Sequence, residues 1–196
     1  MLLRTLKTYF SLLPSIFILS LWPIASVGIT FATDNFGANP IDEIIRHFGK
    51  WTLIFICLTL SITPLRRITK SNIWLPLRKM LGLFTFFYAS IHLFSFIGLD
   101  HHFDWNFISQ DLIKKRYAIV GFIAWLLLIP LAITSTQKMK RLLKEQWFTL
   151  HKLIYVIAVL GVIHYVWLVK KDMTQPIIYG VILAILLLLR FRFKKN

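Results

Sequence analysis

Three of the six histidines in this 196-residue chain fall where an ionisable side chain is costly: inside or at the edge of long apolar runs. His92 lies within the charge-free run 80–99, His164 within 153–169, and His151 two residues before that second run begins. Neutral imidazole is a good ligand for transition metals. Two imidazoles at one depth on separate helices can grip a haem iron from opposite faces. The alternative is that each histidine only hydrogen-bonds between helices. Depth selects the pair. His92 is thirteen residues past Lys79, about 20 Å along a helix. A span entering near Trp147 puts His164 at a similar depth, with His151 at its start. His92 therefore matches His164 better than His151.

His151 raises a second question. It stands thirteen residues before His164, about 20 Å along an axis, which suits two cofactors near opposite membrane faces. On an ideal helix the two would be about 140° apart around the axis. They share a face only if the helix bends or carries a π-bulge, for which Gly161 is a candidate place, and otherwise serve different sites. A partner for His151 on the face of His92 would stand fourteen residues earlier, at Arg78. Arginine is not a usual iron ligand, but it suits a haem propionate, a flavin phosphate or a quinone oxygen. The plainer reading of Arg78 is a flanking membrane charge, which is accepted for Lys79. His101 and His102 are expected in solvent, and His47 is expected to bond a carbonyl or a headgroup.

The elements that must carry these residues follow from composition. Hydrophobic residues make up 57% of the chain and charged ones only 16%, more apolar surface than a globule of this length can hide. Spans are expected near 9–33, 44–65, 80–99, 117–137, 151–169 and 173–189, against a requirement of about 20 apolar residues each. Asn39 and Pro40, followed by Asp42 and Glu43, are a good helix start and extend the second span back to Pro40. The first run is read as a retained helix and not as a leader, because it is long and lacks a cleavage site. Six spans put both termini on one side. That side would hold sixteen of the 23 Lys and Arg, against seven on the other, which makes it cytoplasmic. The net charge of +15 is thus explained by topology and anionic lipid, and no nucleic-acid partner is needed. The single Cys57 excludes an internal disulfide or a Cys-based cluster. The expected fold is an all-α membrane protein, one domain over 1–196, a bundle of six transmembrane helices with both termini cytoplasmic. No dinucleotide motif or P-loop is present, so any redox partner is a separate protein.

Several strings, in order, resemble the MsrQ (YedZ) family of the ferric-reductase-like transmembrane superfamily. They are Gly37-Ala38-Asn39-Pro40, Ile62-Thr63-Pro64-Leu65, Arg78 to Gly82, Thr134-Ser135-Thr136-Gln137, Trp147 to Tyr155, and His164-Tyr165-Val166-Trp167. The resemblance implies a haem b subunit in the bacterial inner membrane, described also as binding FMN. Such a subunit passes electrons from the quinone pool to MsrP, a periplasmic molybdopterin enzyme that repairs oxidised methionine in envelope proteins, and is not itself the sulfoxide reductase. Related ferric reductases and oxidases carry two histidines on each of two helices. Here the third span offers only His92, which leaves His151 and Arg78 for a differently ligated haem, a flavin or a quinone. On this reading His92, His164 and His151 are the metal-binding candidates, with Arg78 as a further cofactor contact. Trp105, Phe107 and Trp167 belong either to a docking surface or to an interfacial aromatic belt. Two rivals remain: a small transporter or proton-relay protein without haem, and a membrane scaffold.

Overall fold

Every element in the computed structural model, which describes residues 12–192, is helical. The start of the first expected span, with Arg4, Lys7, Lys194 and Lys195, lies outside the described residues. The elements are α1 (Leu12–Ser20), α2 (Trp22–Ala32), α3 (Pro40–Thr69), α4 (Leu75–Ser95), α5 (Trp105–Lys114), α6 (Arg116–Ile133), α7 (Gln137–Leu143), α8 (Glu145–Leu150), α9 (Leu153–Leu168) and α10 (Thr174–Arg192). Four stretches are long and apolar enough to cross a membrane: Pro40–Thr69, Asn72–Asp100, Arg116–Ile133 and Glu145–Leu168. The pair α1 and α2 makes a fifth if counted as one span. Helix α10, apolar over Thr174–Arg190, falls just short of that length. Its start is fixed late by Asp172, whose side chain accepts from the Thr174 N–H at 2.9 Å. The bundle is thus all-α, with four to five spans by this measure where six were expected. Leu19, Phe94, Ile133 and Leu188 are among many large apolar side chains exposed on its outside, a surface suited to lipid.

The first expected span is bent by 41° between α1 and α2. Pro23 has no N–H to continue the ladder. The N–H groups of Ile24 and Ala25 both turn to the carbonyl of Leu21, leaving that of Ser20 without its usual partner. Tyr88 of α4, fully buried, donates its hydroxyl to that carbonyl. The Tyr88 ring is held in turn by a stack on Phe55 at 5.2 Å, with Phe48 and Phe84 beside it. His47 finds a carbonyl too: its Nε2 lies 3.0 Å from the Pro23 oxygen.

Helix α3 begins as its sequence suggests. The Asn39 side chain accepts from the Asp42 N–H at 3.3 Å, and Pro40 occupies the first turn. It runs through Pro64 to Thr69 and ends with Lys70 in the left-handed region. Two helix pairs then organise the interior. Helix α3 packs along α4 through Phe48, Phe55, Ile62, Leu77, Leu81 and Phe84, while α6 packs along α9. A second core joins the pairs: Leu53, Ile56 and Leu60 of α3 meet Ala124 and Leu128 of α6 and Ile157 and Ala158 of α9. Because consecutive long helices alternate in direction, the basic ends of α3, α4, α6, α9 and α10 share one face.

The opposite face carries the short helix α5, capped by Asp104, whose carboxylate accepts from the N–H groups of Asn106 and Phe107. His101, expected in solvent, instead packs on Phe96 at 4.4 Å and bonds Asp111 at 3.0 Å. Its neighbour His102 is exposed. Burial alone would raise the Asp111 carboxyl, but Lys115 and His101 hold it below its ordinary value. The ties of α5 to His101 before it and to Lys115 at its end are therefore present at neutral pH and are lost as pH falls through the lowered carboxyl value.

Removing the Tyr88 hydroxyl should leave the Ser20 carbonyl buried and unpaired, costing about 1–3 kcal/mol. Tyr88→Phe is expected to lower the thermal unfolding midpoint in detergent. An unchanged midpoint would mean that the hydroxyl does not support the bend.

Candidate functional site

His92 and His164 come together, one from α4 and one from α9, with ring centres 6.0 Å apart and planes at 84°. Each ring lies against a glycine of the neighbouring helix. A Cβ at Gly49 of α3 would stand 3.0 Å from His92 Cε1, and one at Gly121 of α6 only 2.6 Å from His164 Nδ1. Each ring also donates its Nδ1–H to a backbone carbonyl one turn before that glycine. The bonds are His92 to Ile45 at 2.8 Å and His164 to Tyr117 at 2.7 Å. Both span 47 residues of chain, so the pairs α3–α4 and α6–α9 use the same device twice. Donation from Nδ1 fixes the tautomer and leaves the lone pair on Nε2.

Both rings line a cavity of about 590 Å³ enclosed by α3, α4, α6 and α9. Small residues on all four helices, Gly49, Ala89, Ala118, Gly121 and Gly161, leave room for a flat group. The volume is in the range of pockets that enclose whole cofactors, about 300–1,000 Å³. A metal about 2 Å from each of two Nε2 atoms puts the imidazole centres about 6 Å apart, as observed. Two neutral imidazoles, with no hydrogen bond to either Nε2 among the described residues, therefore fit a haem iron held between them. Interhelical hydrogen bonding accounts for the Nδ1 atoms and not for the cavity. Toward the face that carries α5 the lining holds charges of both signs, Arg46, Lys50 and Lys115 with Asp42, Glu43 and Asp100, and Arg46 is paired with Asp42 at 2.6 Å.

His151 is not part of this cavity. It sits in the turn between α8 and α9, so the irregularity in the fifth span falls at His151 and not at Gly161. Gly161 stays within regular α9, facing Leu53 and Ile56 at ordinary contact distance. The His151 ring stacks on Trp147 at 3.9 Å, and its Nε2 lies 3.0 Å from the Thr134 hydroxyl. That hydroxyl donates to the Pro130 carbonyl, so it accepts from His151. The tautomer is thus the reverse of the other two, with the free lone pair on Nδ1. Arg78 is in Coulombic reach of His151 and lines a smaller pocket with Thr63, Arg67, Tyr155 and Arg190. Arg190 had no sequence signal beyond closing the last apolar run beside other basic residues. The glycine cradles, too, were not apparent from spacing along one helix.

Residues 48–162 match the family described as ferric reductase like transmembrane component, a stretch that holds both cradle glycines, His92 and His151. The chain is similar to the protein-methionine-sulfoxide reductase heme-binding subunit MsrQ of Herminiimonas arsenicoxydans, 52% identical over 178 residues, covering 89% of this chain and 82% of the relative. The subunit of the same name from Xanthomonas campestris pv. campestris strain B100 is 48% identical over 84% of this chain and 78% of its own length. That of Rhodospirillum rubrum is 45% identical over 90% and 85%. No solved structure matches the chain.

The cradle makes a graded expectation. Gly121→Ala should be the most damaging, at about 1–3 kcal/mol of overpacking, because a fixed ring stands 2.6 Å from the new Cβ. Gly49→Ala should cost less. Gly161→Ala, whose Cβ would meet Leu53 at an ordinary contact distance of 3.6 Å, should be neutral or slightly stabilising through the helix preference of alanine. Thermal unfolding of the three variants checks the order, and equal effects would contradict it.

Proposed function

The chain belongs to the MsrQ family of ferric-reductase-like transmembrane proteins, and from that premise we propose that it holds one haem b between His92 and His164 and passes electrons to a reductase subunit. The observation that carries this reading is the facing pair of imidazoles, each with Nδ1 tied to a carbonyl and Nε2 open to a cavity of cofactor size. The relatives are named as haem-binding subunits of protein-methionine-sulfoxide reductase, which supports the same cofactor and partner here. When bound, the haem supplies a one-electron carrier within the bilayer. The protein's own contribution is to hold both axial nitrogens at fixed depth, to keep the rings in the ligating tautomer, and to exclude water with apolar walls.

Electrons enter, on this reading, at the basic face and leave at the other. The sixteen basic residues assigned to that face support a cytoplasmic placement in a bacterial inner membrane, with both termini on that side. The donor is quinol, with FMN as an intermediate carrier, at an inner site made by Arg78 and His151. Each quinol oxidised to quinone releases two electrons and two protons. His151 can accept a proton at Nδ1, since its Nε2–H is committed to Thr134. Arg78 offers a guanidinium to an anionic or carbonyl oxygen. His151 remains a metal-ligand candidate through the same Nδ1. The acceptor is a periplasmic molybdopterin methionine-sulfoxide reductase, which docks on the face carrying the exposed Trp105, Phe107 and Trp167.

A reduced-minus-oxidised visible spectrum of the purified protein tests this directly. A b-type signal is expected, and His92→Ala and His164→Ala should each abolish it. No signal, or full retention in either variant, would overturn the pairing and favour a relay without haem. His151→Ala and Arg78→Ala should keep the His92–His164 signal yet slow its reduction by quinol at least about tenfold. A normal rate in both would remove the inner site from the pathway.

A further inference from the structure

At the basic face the last helix delivers Arg190 into the small pocket that also contains Arg78, Arg67, Tyr155 and Thr63. Arg190 donates through one terminal nitrogen to the Tyr155 hydroxyl at 2.5 Å and through the other to Thr63 at 2.7 Å. Its Nε is buried and has no hydrogen-bond partner. Arg78, half-buried, has no ion-pair or hydrogen-bond partner among the described residues, and no carboxylate lines the pocket. Tyr155 and Thr63, each accepting from Arg190, keep their own hydroxyl protons to give. The guanidinium groups of Arg78 and Arg190 thus face a common space lined by hydroxyl and guanidinium donors, with no carboxylate beside them among the described residues. Two like charges brought together away from water need an anion.

We propose that this pocket binds a phosphate group, with Arg190 and Arg78 as its two cationic ligands and Tyr155 and Thr63 as hydroxyl donors. Donors supplied from α3, α4, α9 and α10 suit a tetrahedral anion with several free oxygens better than a planar carboxylate, which one guanidinium fork satisfies. The volume, about 180 Å³, is below that of pockets enclosing a whole ring system. The site takes the phosphate of a larger molecule whose remainder lies outside, either a phospholipid headgroup or a soluble phosphomonoester. This names the ligand chemistry of the inner site and rests on Arg78 belonging to it.

The test uses the full-length, haem-loaded protein in uncharged detergent, with unfolding followed by tryptophan fluorescence. Inorganic phosphate replaces chloride at constant ionic strength and low millimolar concentration. A saturable rise in midpoint is expected, with apparent affinity weakened about tenfold or more in Arg190→Gln and unchanged in Lys138→Gln, an exposed charge on the same face. Arg190→Lys, which keeps the charge, should respond more weakly than the native protein and serves if the glutamine variant does not fold. No response beyond that to chloride, or a response in Arg190→Gln and Arg190→Lys as strong as that of the native protein, would overturn the proposal. Phosphatidylglycerol retained by the native protein in native mass spectrometry and lost from Arg190→Gln assigns the headgroup. Quenching of FMN fluorescence that inorganic phosphate reverses assigns the phosphomonoester. Since the readout is binding, a failure of quinol to reduce the haem would leave this result standing.

Discussion

Two hydrogen bonds, from Nδ1 of His92 to Ile45 and from Nδ1 of His164 to Tyr117, are what the half of the bundle toward α5 depends on. Inside a bilayer an imidazole N–H has to find an acceptor, and helical carbonyls are nearly the only ones present. A carbonyl that already serves its own ladder can accept a second bond only if the ring approaches the helix backbone closely. Gly49 and Gly121 allow that approach, one turn from each acceptor. Tautomer, ring direction, depth and the separation of the two rings all follow from this contact. So does the close packing of α3 on α4 and of α6 on α9, since each histidine reaches across its own pair.

The two ends of the bundle are built for different tasks. Toward the α5 face, apolar helices close around a cavity with two facing histidines and a rim that carries charges of both signs. Toward the basic face, polar side chains are kept at the helix ends: His151 anchored to Thr134 and Trp147, and Arg190 to Tyr155 and Thr63. His151 and His164 stand about 20 Å apart along α9 and its approach, a separation that would divide the proposed electron path into an entry site and an exit site.

Much of this was legible in the sequence. Hydropathy locates spans because lipid selects length and apolarity residue by residue, and Asn39-Pro40 marks the start of α3 because helix capping is local. The match in depth of His92 and His164 followed from rise per residue alone. What escaped is tertiary. At the bend the freed Ser20 carbonyl is met by Tyr88, 68 residues away. The break in the fifth span was sought at Gly161, yet the glycine packs in a regular helix while the irregularity falls at His151, whose ring is pulled toward Thr134 of α6. Arg190 looks like any flanking charge until α10 is folded against α3 and α9.

The central claim is that one iron lies between His92 and His164, and electron paramagnetic resonance of the oxidised, purified protein tests it most directly. Two imidazole ligands make the ferric haem low-spin, and planes at 84° make its signal strongly anisotropic. That spectrum is expected in the native protein, retained in His151→Ala and lost in both His92→Ala and His164→Ala. A high-spin signal in the native protein, or the low-spin signal surviving in His164→Ala, would contradict the account.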